Sequence, residues 1–289
     1  MRKKDLRISI CGIPKTIDND IPLIDRSFGF ATSVEEAIRY IDSAKTEAES
    51  AENGVGLIRL MGRHCGYIAV HAALASRDVN VCLVPEVHFQ LYGPQGVYEH
   101  IIKRATGRGS CIVVVAEGAE DGLIDEERTK MREAMGIVGD QHDASGNRKN
   151  ADLALFIKKD LGAYAKKKHG TALTIKYLNP TYAIRATAAN GGDAELCQRL
   201  ARVAAHSVQA GYTDFSVGLA RATPVMIPLD LLISQSSRQL KRVDAQWQRL
   251  VAATGQPNFL GQENTVEYLS READRDLARK EKYLKLKVA

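Results

Sequence analysis

The chain has 289 residues, 45% of them apolar, enough to bury one large core or two moderate ones. Its apolar runs fall well short of the roughly 18 consecutive residues that span a bilayer, and no apolar signal region follows Met1-Arg2-Lys3-Lys4-Asp5. The net charge of +5 does not mark a nucleic-acid surface: seven Lys/Arg against four Asp/Glu in residues 271–289 carry +3 of it, and the nearly neutral body lacks a basic stripe interleaved with aromatics.

Residues 6–11 read as a short apolar strand, which residues 12–22 leave as Gly-Ile-Pro-Lys-Thr-Ile-Asp-Asn-Asp-Ile-Pro. Ligands of open α/β sheets gather beyond the carboxyl ends of strands, and a Gly-Ile-Pro turn fixes the backbone there. Lys15, Thr16, Asp18 and Asp20 fall together in this turn. Two carboxylates two apart in an extended turn can face one side. One can then accept a proton from an attacking hydroxyl while the other holds a metal against phosphate oxygens. An Asp-Asn-Asp triplet alone also describes an Asx-rich surface turn.

Ser33-Val34-Glu35-Glu36 reads as a capping box, and the apolar spacing behind it predicts a helix over 33–51 that stops near Asn53-Gly54. Strand 55–61, loop 62–66, helix 67–77 and strand 79–84 make a βαβ unit. A helix near 94–106 and a buried strand at 111–116 follow, then an irregular, glycine-bearing segment over 117–150 of the kind that often carries function. The next helix, 151–168, ends in Lys166-Lys167-Lys168 before Gly170, cations where the helix dipole favours them. A strand at 172–178, a helix at 193–210 and a strand at 214–219 continue the alternation. Beyond about 230 the chain turns helical and charged, with a break near 255–261. Five single cysteines (Cys11, Cys65, Cys82, Cys111, Cys197) show no metal-ligand spacing and read as reduced, mostly buried thiols of a cytosolic protein. The sequence has neither a Gly-x-x-x-x-Gly-Lys-Ser/Thr loop nor a Gly-x-Gly-x-x-Gly turn.

The eleven-residue string resembles the signature segment of the 6-phosphofructokinases. Leu60-Met61-Gly62-Arg63-His64-Cys65-Gly66-Tyr67, Val84-Pro85-Glu86, Val115-Ala116-Glu117-Gly118 and Tyr182-Ala183-Ile184-Arg185 follow in that family's order. Asp143-Ala144-Ser145-Gly146-Asn147 and Gly211-Tyr212-Thr213-Asp214-Phe215-Ser216-Val217-Gly218 are similar to its longer ATP-dependent branch in plants and trypanosomatids. The resemblance implies an α/β fold, doubly wound, with mostly parallel sheets in two lobes and the active site in their cleft. Residues 1–29 and 185–231 would belong to the phosphoryl-donor lobe, 30–184 to the fructose 6-phosphate lobe, and 232–289 to a helical extension.

The activity so implied is phosphoryl transfer from ATP to the 1-hydroxyl of fructose 6-phosphate, with Mg2+, in a cytoplasmic homo-oligomer (dimer or tetramer) with no nucleic-acid or membrane partner. Pyrophosphate is the alternative donor, because Lys15 resembles both branches. By resemblance Asp18 is the base, Thr16 positions the transferring group, Asp20 lies near the magnesium ion, and Lys15 and Arg63 reach transition-state oxygens. Met61, Gly62 and Arg63 form the sugar-binding turn, Glu117 takes sugar hydroxyls, and Tyr182 and Arg185 hold the 6-phosphate. Lys176 falls where relatives use an arginine from a neighbouring subunit. Tyr182 replaces a bacterial histidine, and Gly54 stands where bacterial relatives carry a further arginine. Glu86 and His88 are read as structural. The family's glycine-rich first loop and its donor-choosing Gly-Gly-Asp-Gly or Gly-Gly-Asp-Asp turn do not occur in the sequence. The expectation is therefore an incomplete N-terminal lobe with an exposed strand edge. It carries the alternative of a truncated, non-catalytic sugar-phosphate-binding chain.

Overall fold

The computed structural model describes residues 8–137, 139, 142, 146 and 150–288, without the side chains at 263, 276 and 279–288. Leu6 and Arg7 of the expected first strand, and the 143–147 string apart from Gly146, lie outside these residues. In chain order the elements are β1 (Cys11–Gly12), α1 (Phe30–Glu49), β2 (Gly54–Leu60), α2 (Tyr67–Ser76), β3 (Val81–Leu83), α3 (Val97–Arg108) and β4 (Ser110–Ala116). A 3-10 turn (Ala119–Gly122) precedes α4 (Asp125–Ala134), α5 (Leu153–His169), β5 (Thr174–Leu178), α6 (Thr181–Ala186) and α7 (Gly191–Gln209). The chain ends with β6 (Phe215–Ala220), β7 (Thr223–Pro228), α8 (Leu229–Ser234), α9 (Ala245–Thr254) and α10 (Gln262–Val288). The described residues form two compact units, one within Met1–Ser33, Thr187–Arg238 and Asp274–Ala289, the other within Val34–Ala186 and Gln239–Ala273.

The larger unit is built on a parallel sheet of order β3-β4-β2-β5. β2 and β4 pair over their whole length, from Gly54↔Ser110 to Leu60↔Ala116. Both are buried except at Arg59 and Ser110, as central strands covered on two faces must be. Successive side chains of a strand point to opposite faces, so Gly54 and Gly56 share one. There α1 lies against β2. A Cβ at Gly54 would sit 1.9 Å from the Ala48 carbonyl oxygen, and one at Gly56 would sit 2.8 Å from that of Ala44. Ala44 and Ala48 are one helical turn apart, and both are fully buried. The connection leaving β2 runs past β4 to β3, whereas the connection leaving β4 runs past β2 to β5. The adjoining carboxyl ends of β2 and β4 are therefore a topological switch point, where open α/β sheets form a crevice.

The final segment of this unit straps the edge strand. The side-chain amide of Gln256 accepts a bond from the Cys82 N–H at 2.7 Å and donates to its carbonyl at 3.3 Å, standing in for a missing neighbouring strand. Trp247 of α9 is buried, and α9 packs on α2. Cys65, Cys82 and Cys111 are buried thiols, with Cys111 pushed up to about 12 by burial.

In the smaller unit β1 pairs parallel with β6, and β6 pairs antiparallel with β7. Leu196 and Leu200 of α7 close over Phe215, Val217 and Leu219 of β6. The first strand is shorter than its apolar pattern predicts. Its ladder is Cys11–Gly12, flanked by Ile10, whose carbonyl accepts the Asp214 N–H at 2.9 Å.

Three other expectations are corrected. The helix predicted from Ser33 begins at Phe30, and Ser33 is no cap, since its hydroxyl donates to the carbonyls of Gly29 and Phe30. The early N–H of Thr32 is instead taken by Asp193, whose Oδ2 also accepts the Thr32 hydroxyl at 2.7 Å. The segment 117–150 contains α4, so it is not irregular throughout. The strand at 214–219 also has an antiparallel partner, β7, which the sequence reading did not foresee. Its two-residue turn uses Arg221 and Ala222 at φ +51° and +61°, steadied by Asp25, whose carboxylate accepts the Ala222 N–H at 2.7 Å. That bond, with one from Arg221, lowers the Asp25 pKa. Among the described residues no helix is long and apolar enough to cross a membrane.

The α1–β2 contact yields a paired stability prediction. Gly56→Ala is expected to destabilise the protein by about 1–3 kcal/mol in urea unfolding, through overpacking against a carbonyl that cannot move aside. Gly107→Ala, in α3 with open space around the added methyl group, is expected to stabilise it by about 0.5–1 kcal/mol.

Candidate active site

The Lys15–Asp20 turn belongs to the smaller unit. Its pivot is Asn19, buried and at φ +59°, a left-handed conformation that Asn tolerates better than most residues. The Asn19 Oδ1 accepts the Ser27 N–H at 2.9 Å, which ties the turn to the chain eight residues on. One step earlier the Asp18 N–H donates to Thr16 Oγ1 at 3.1 Å, and one step later the Asp20 carbonyl accepts the Arg238 N–H at 2.6 Å. Asp18 and Asp20 are half-buried, Thr16 likewise, and Lys15 is exposed. The turn is thus a fixed piece of backbone with its two carboxylates flanking a buried amide.

In the larger unit the switch point gathers Met61, Gly62, Arg63 and Glu117. The sheet ladder continues past its formal end: the Glu117 N–H donates to the Leu60 carbonyl at 2.8 Å and the Gly118 N–H to the Gly62 carbonyl at 2.9 Å. Two glycines make this approach possible. A Cβ on Gly118 would lie 1.9 Å from the Arg63 carbonyl oxygen, and Gly62, at φ +127°, holds a conformation that other residues rarely adopt.

Charges alternate across the strand ends. The Glu117 carboxylate lies 3.9 Å from Arg63 Nε and 3.8 Å from Arg59 Nη2, and Arg59 Nε lies 3.6 Å from Asp152 Oδ2. The row ends at Tyr177 of β5, whose hydroxyl donates to Asp152 Oδ2 at 3.0 Å. Burial, then the nearby Asp152 carboxylate, raises the Tyr177 pKa and keeps it a donor. The other Asp152 oxygen caps α5 by accepting the Leu155 N–H at 2.9 Å, so a helix end fixes the row. Arg59, Asp152 and Tyr177 were missed by motif reading. Arg59 could have been found as the lone charge within an apolar strand, and Asp152 as a helix cap.

The remaining expected residues are dispersed. Tyr182 and Arg185 sit three apart on α6, just past the carboxyl end of β5 and hence at the same end of the sheet as Arg63 and Glu117. Both are exposed, Tyr182 at 87%. Lys176 is not gathered with them. It pairs with Gly56 in mid-strand, and its amine lies 3.6 Å from Glu47 of α1.

The carboxylate of the turn that could hold a magnesium ion is Asp20, half-buried beside Asn19. No cluster of three or more His, Cys, Asp or Glu suited to a metal occurs among the described residues. A dehydration-resistant cation that keeps its waters and binds through one carboxylate and phosphate oxygens needs no such cluster, so the donor set fits a magnesium ion delivered with a phosphorylated ligand.

The family model described as Phosphofructokinase matches residues 1–208. The chain is 46% identical to ATP-dependent 6-phosphofructokinase 1 of Arabidopsis thaliana over 92% of its own length and 54% of the relative's. It is 43% identical to ATP-dependent 6-phosphofructokinase 7 of the same plant, over 92% and 53%. It therefore spans about half the length of these curated relatives. Its fold is similar to that of a pyrophosphate-dependent phosphofructokinase from Nitrosospira multiformis, with TM-score 0.61 and 20% identity over 88% of this chain and 62% of that one. With the family model matched over most of its length and the signature turn and sheet-end loops formed as described, this chain belongs to the phosphofructokinase family.

Proposed function

We propose that this chain carries the acceptor chemistry of a 6-phosphofructokinase, transferring the terminal phosphoryl group of ATP to the 1-hydroxyl of fructose 6-phosphate. The observation that carries this reading is the anchored Lys15–Asp20 turn, in which a buried Asn19 holds two half-buried carboxylates beside it. The names of the plant relatives support ATP as the donor.

Asp18 accepts the proton of the 1-hydroxyl as its oxygen bonds to the terminal phosphorus of ATP, and the bond to ADP breaks. Thr16 and Lys15 position the transferring group, and Asp20 would hold magnesium. When bound, that ion neutralises charge on the phosphate oxygens. Glu117 accepts hydrogen bonds from sugar hydroxyls, and Met61, Gly62 and Arg63 line the sugar. Arg63, whose planar fork suits phosphate oxygens, offsets charge that develops in the transition state. Tyr182 and Arg185 take the 6-phosphate. Their exposure supports a homo-oligomer in which a second copy covers that end of the ligand, with Lys176 as the residue such a copy would supply.

A coupled assay with fructose 6-phosphate, magnesium and either ATP or pyrophosphate tests the reading. Turnover with ATP is expected, and Asp18→Ala is expected to reduce kcat by about 10²–10⁴-fold with little change in KM for the sugar. Turnover with pyrophosphate alone would overturn the donor. Absence of turnover with both would overturn catalysis by this chain.

The alternating charge row makes a second prediction. Arg59→Ala is expected to raise KM for fructose 6-phosphate about tenfold at nearly constant kcat, because it removes a cation that holds Glu117 in place. Arg59→Lys, which keeps the charge, should recover most of the loss in the same steady-state assay.

A further inference from the structure

Glu86 lies outside the charge row, yet its carboxylate is tied to the loop that carries Arg63. Both of its oxygens lie 3.0 Å from the Gly66 N–H. Gly66 immediately precedes α2 and has no side-chain cap of its own. A carboxylate at that point satisfies an otherwise orphaned N–H and faces the positive end of the helix dipole. The approach is tight: a Cβ on Gly66 would lie 2.3 Å from Val84 Cγ1 and 3.2 Å from Glu86 Oε2, so only glycine admits the contact.

Glu86 has a second attachment. Its Oε1 also accepts the N–H of Leu240 at 3.2 Å, from the buried start of the returning segment Gln239–Ala273. That segment is itself clamped to the same stretch of chain. The Gln90 N–H donates to the Phe259 carbonyl at 2.7 Å, the Gly261 N–H to Gln90 Oε1 at 2.6 Å, and the His88 N–H to Glu272 Oε1 at 3.1 Å. Arg242 locks it further, donating to Glu272 and to the His88 carbonyl.

The consequence concerns Arg63. At its start the loop is pinned by the bond from Gly118 to the Gly62 carbonyl, and at its end by Glu86. We propose that Glu86 is a positioning residue for sugar-phosphate binding, one that fixes the 62–66 loop between β2 and α2 and fastens it to the returning segment at Leu240. It touches no ligand and acts through Arg63. The proposal rests on the assignment of Arg63 to the sugar site.

Two readouts separate the proposal from that assignment. In hydrogen exchange on the full chain without ligand, Glu86→Gln is expected to raise exchange of the 62–66 amides several-fold and Glu86→Ala by about tenfold, the range for loss of a helix cap. Unchanged exchange would overturn the clamp whether or not the chain binds sugar. In steady-state kinetics Glu86→Ala is expected to raise KM for fructose 6-phosphate about tenfold at nearly constant kcat, with Glu86→Gln intermediate. Looser exchange with an unaltered KM in an active enzyme would overturn the link to binding. Gln256→Ala is the comparison variant: it loosens the same segment at Cys82 without touching Glu86, and its KM should stay at the wild-type value. An equal rise in KM there would assign the effect to general loosening and overturn the role of Glu86.

Discussion

The in-register parallel pairing of β2 with β4 is the constraint on which the larger unit depends. Seven consecutive residue pairs bring Leu60 and Ala116 side by side, and the bonds just beyond them continue the ladder into both loops. The position of Arg63 relative to Glu117 is therefore set by backbone pairing rather than by the side chains. A slip of one residue would turn every side chain of a strand to its other face, and in β2 it would carry Gly54 and Gly56 away from the Ala48 and Ala44 carbonyls, where no larger residue fits. The same register lets α1 settle on Gly54 and Gly56, because only a strand held in place can keep two glycines under Ala44 and Ala48.

Backbone rigidity at the strand ends contrasts with looser side-chain pairing. Glu117 makes its ion pairs at 3.8 and 3.9 Å, beyond hydrogen-bond distance, while the peptide groups beneath it bond at 2.8 and 2.9 Å. A ligand hydroxyl can enter such an ion pair without breaking a short bond, and the chain has already lost the conformational freedom that binding would otherwise have to remove. Asp152 extends the arrangement. One of its oxygens ends the charge row and the other caps α5, so a long helix steadies the far end of a polar chain that is only partly screened from water.

What could be read from the sequence divides along physical lines. Strands β2 and β4 were legible because burial on both faces leaves near-continuous apolar runs. Arg63, Glu117 and the Lys15–Asp20 turn could be picked out as candidates because they stand in recognisable strings. The start of α1 was not. Ser33 and Glu36 have the spacing of a capping box, but the capping partner is Asp193, which takes the Thr32 N–H from 161 residues further on, and no local pattern carries that information. α4 was hidden because its sequence, Asp-Glu-Glu-Arg-Thr-Lys-Met-Arg-Glu-Ala, buries little beyond Glu127 and Met131. β7 was hidden because Pro224 and Pro228 read as strand breakers, and its turn lacks the usual Asn-Gly. Arg59 and Tyr177 gave no motif because each acts through a partner from another element.

In the Asp-Asn-Asp triplet one short string joins a buried pivot to two half-buried carboxylates. The middle residue has a structural task that neither neighbour could perform. A neutral amide can be buried at 6% exposure with its oxygen bonded to the Ser27 N–H, whereas an aspartate there would bring an unpaired charge inside. Glycine would accept the left-handed backbone but would lose the tether to Ser27. Burying Asn19 leaves Asp18 and Asp20 as the half-buried members of the triplet. The bonds from the Asp18 N–H to Thr16 and from the Arg238 N–H to the Asp20 carbonyl use peptide groups, so they fix both residues through the backbone. An Asx-rich surface turn would need no such buried pivot, and it is the pivot that separates this turn from that simpler description.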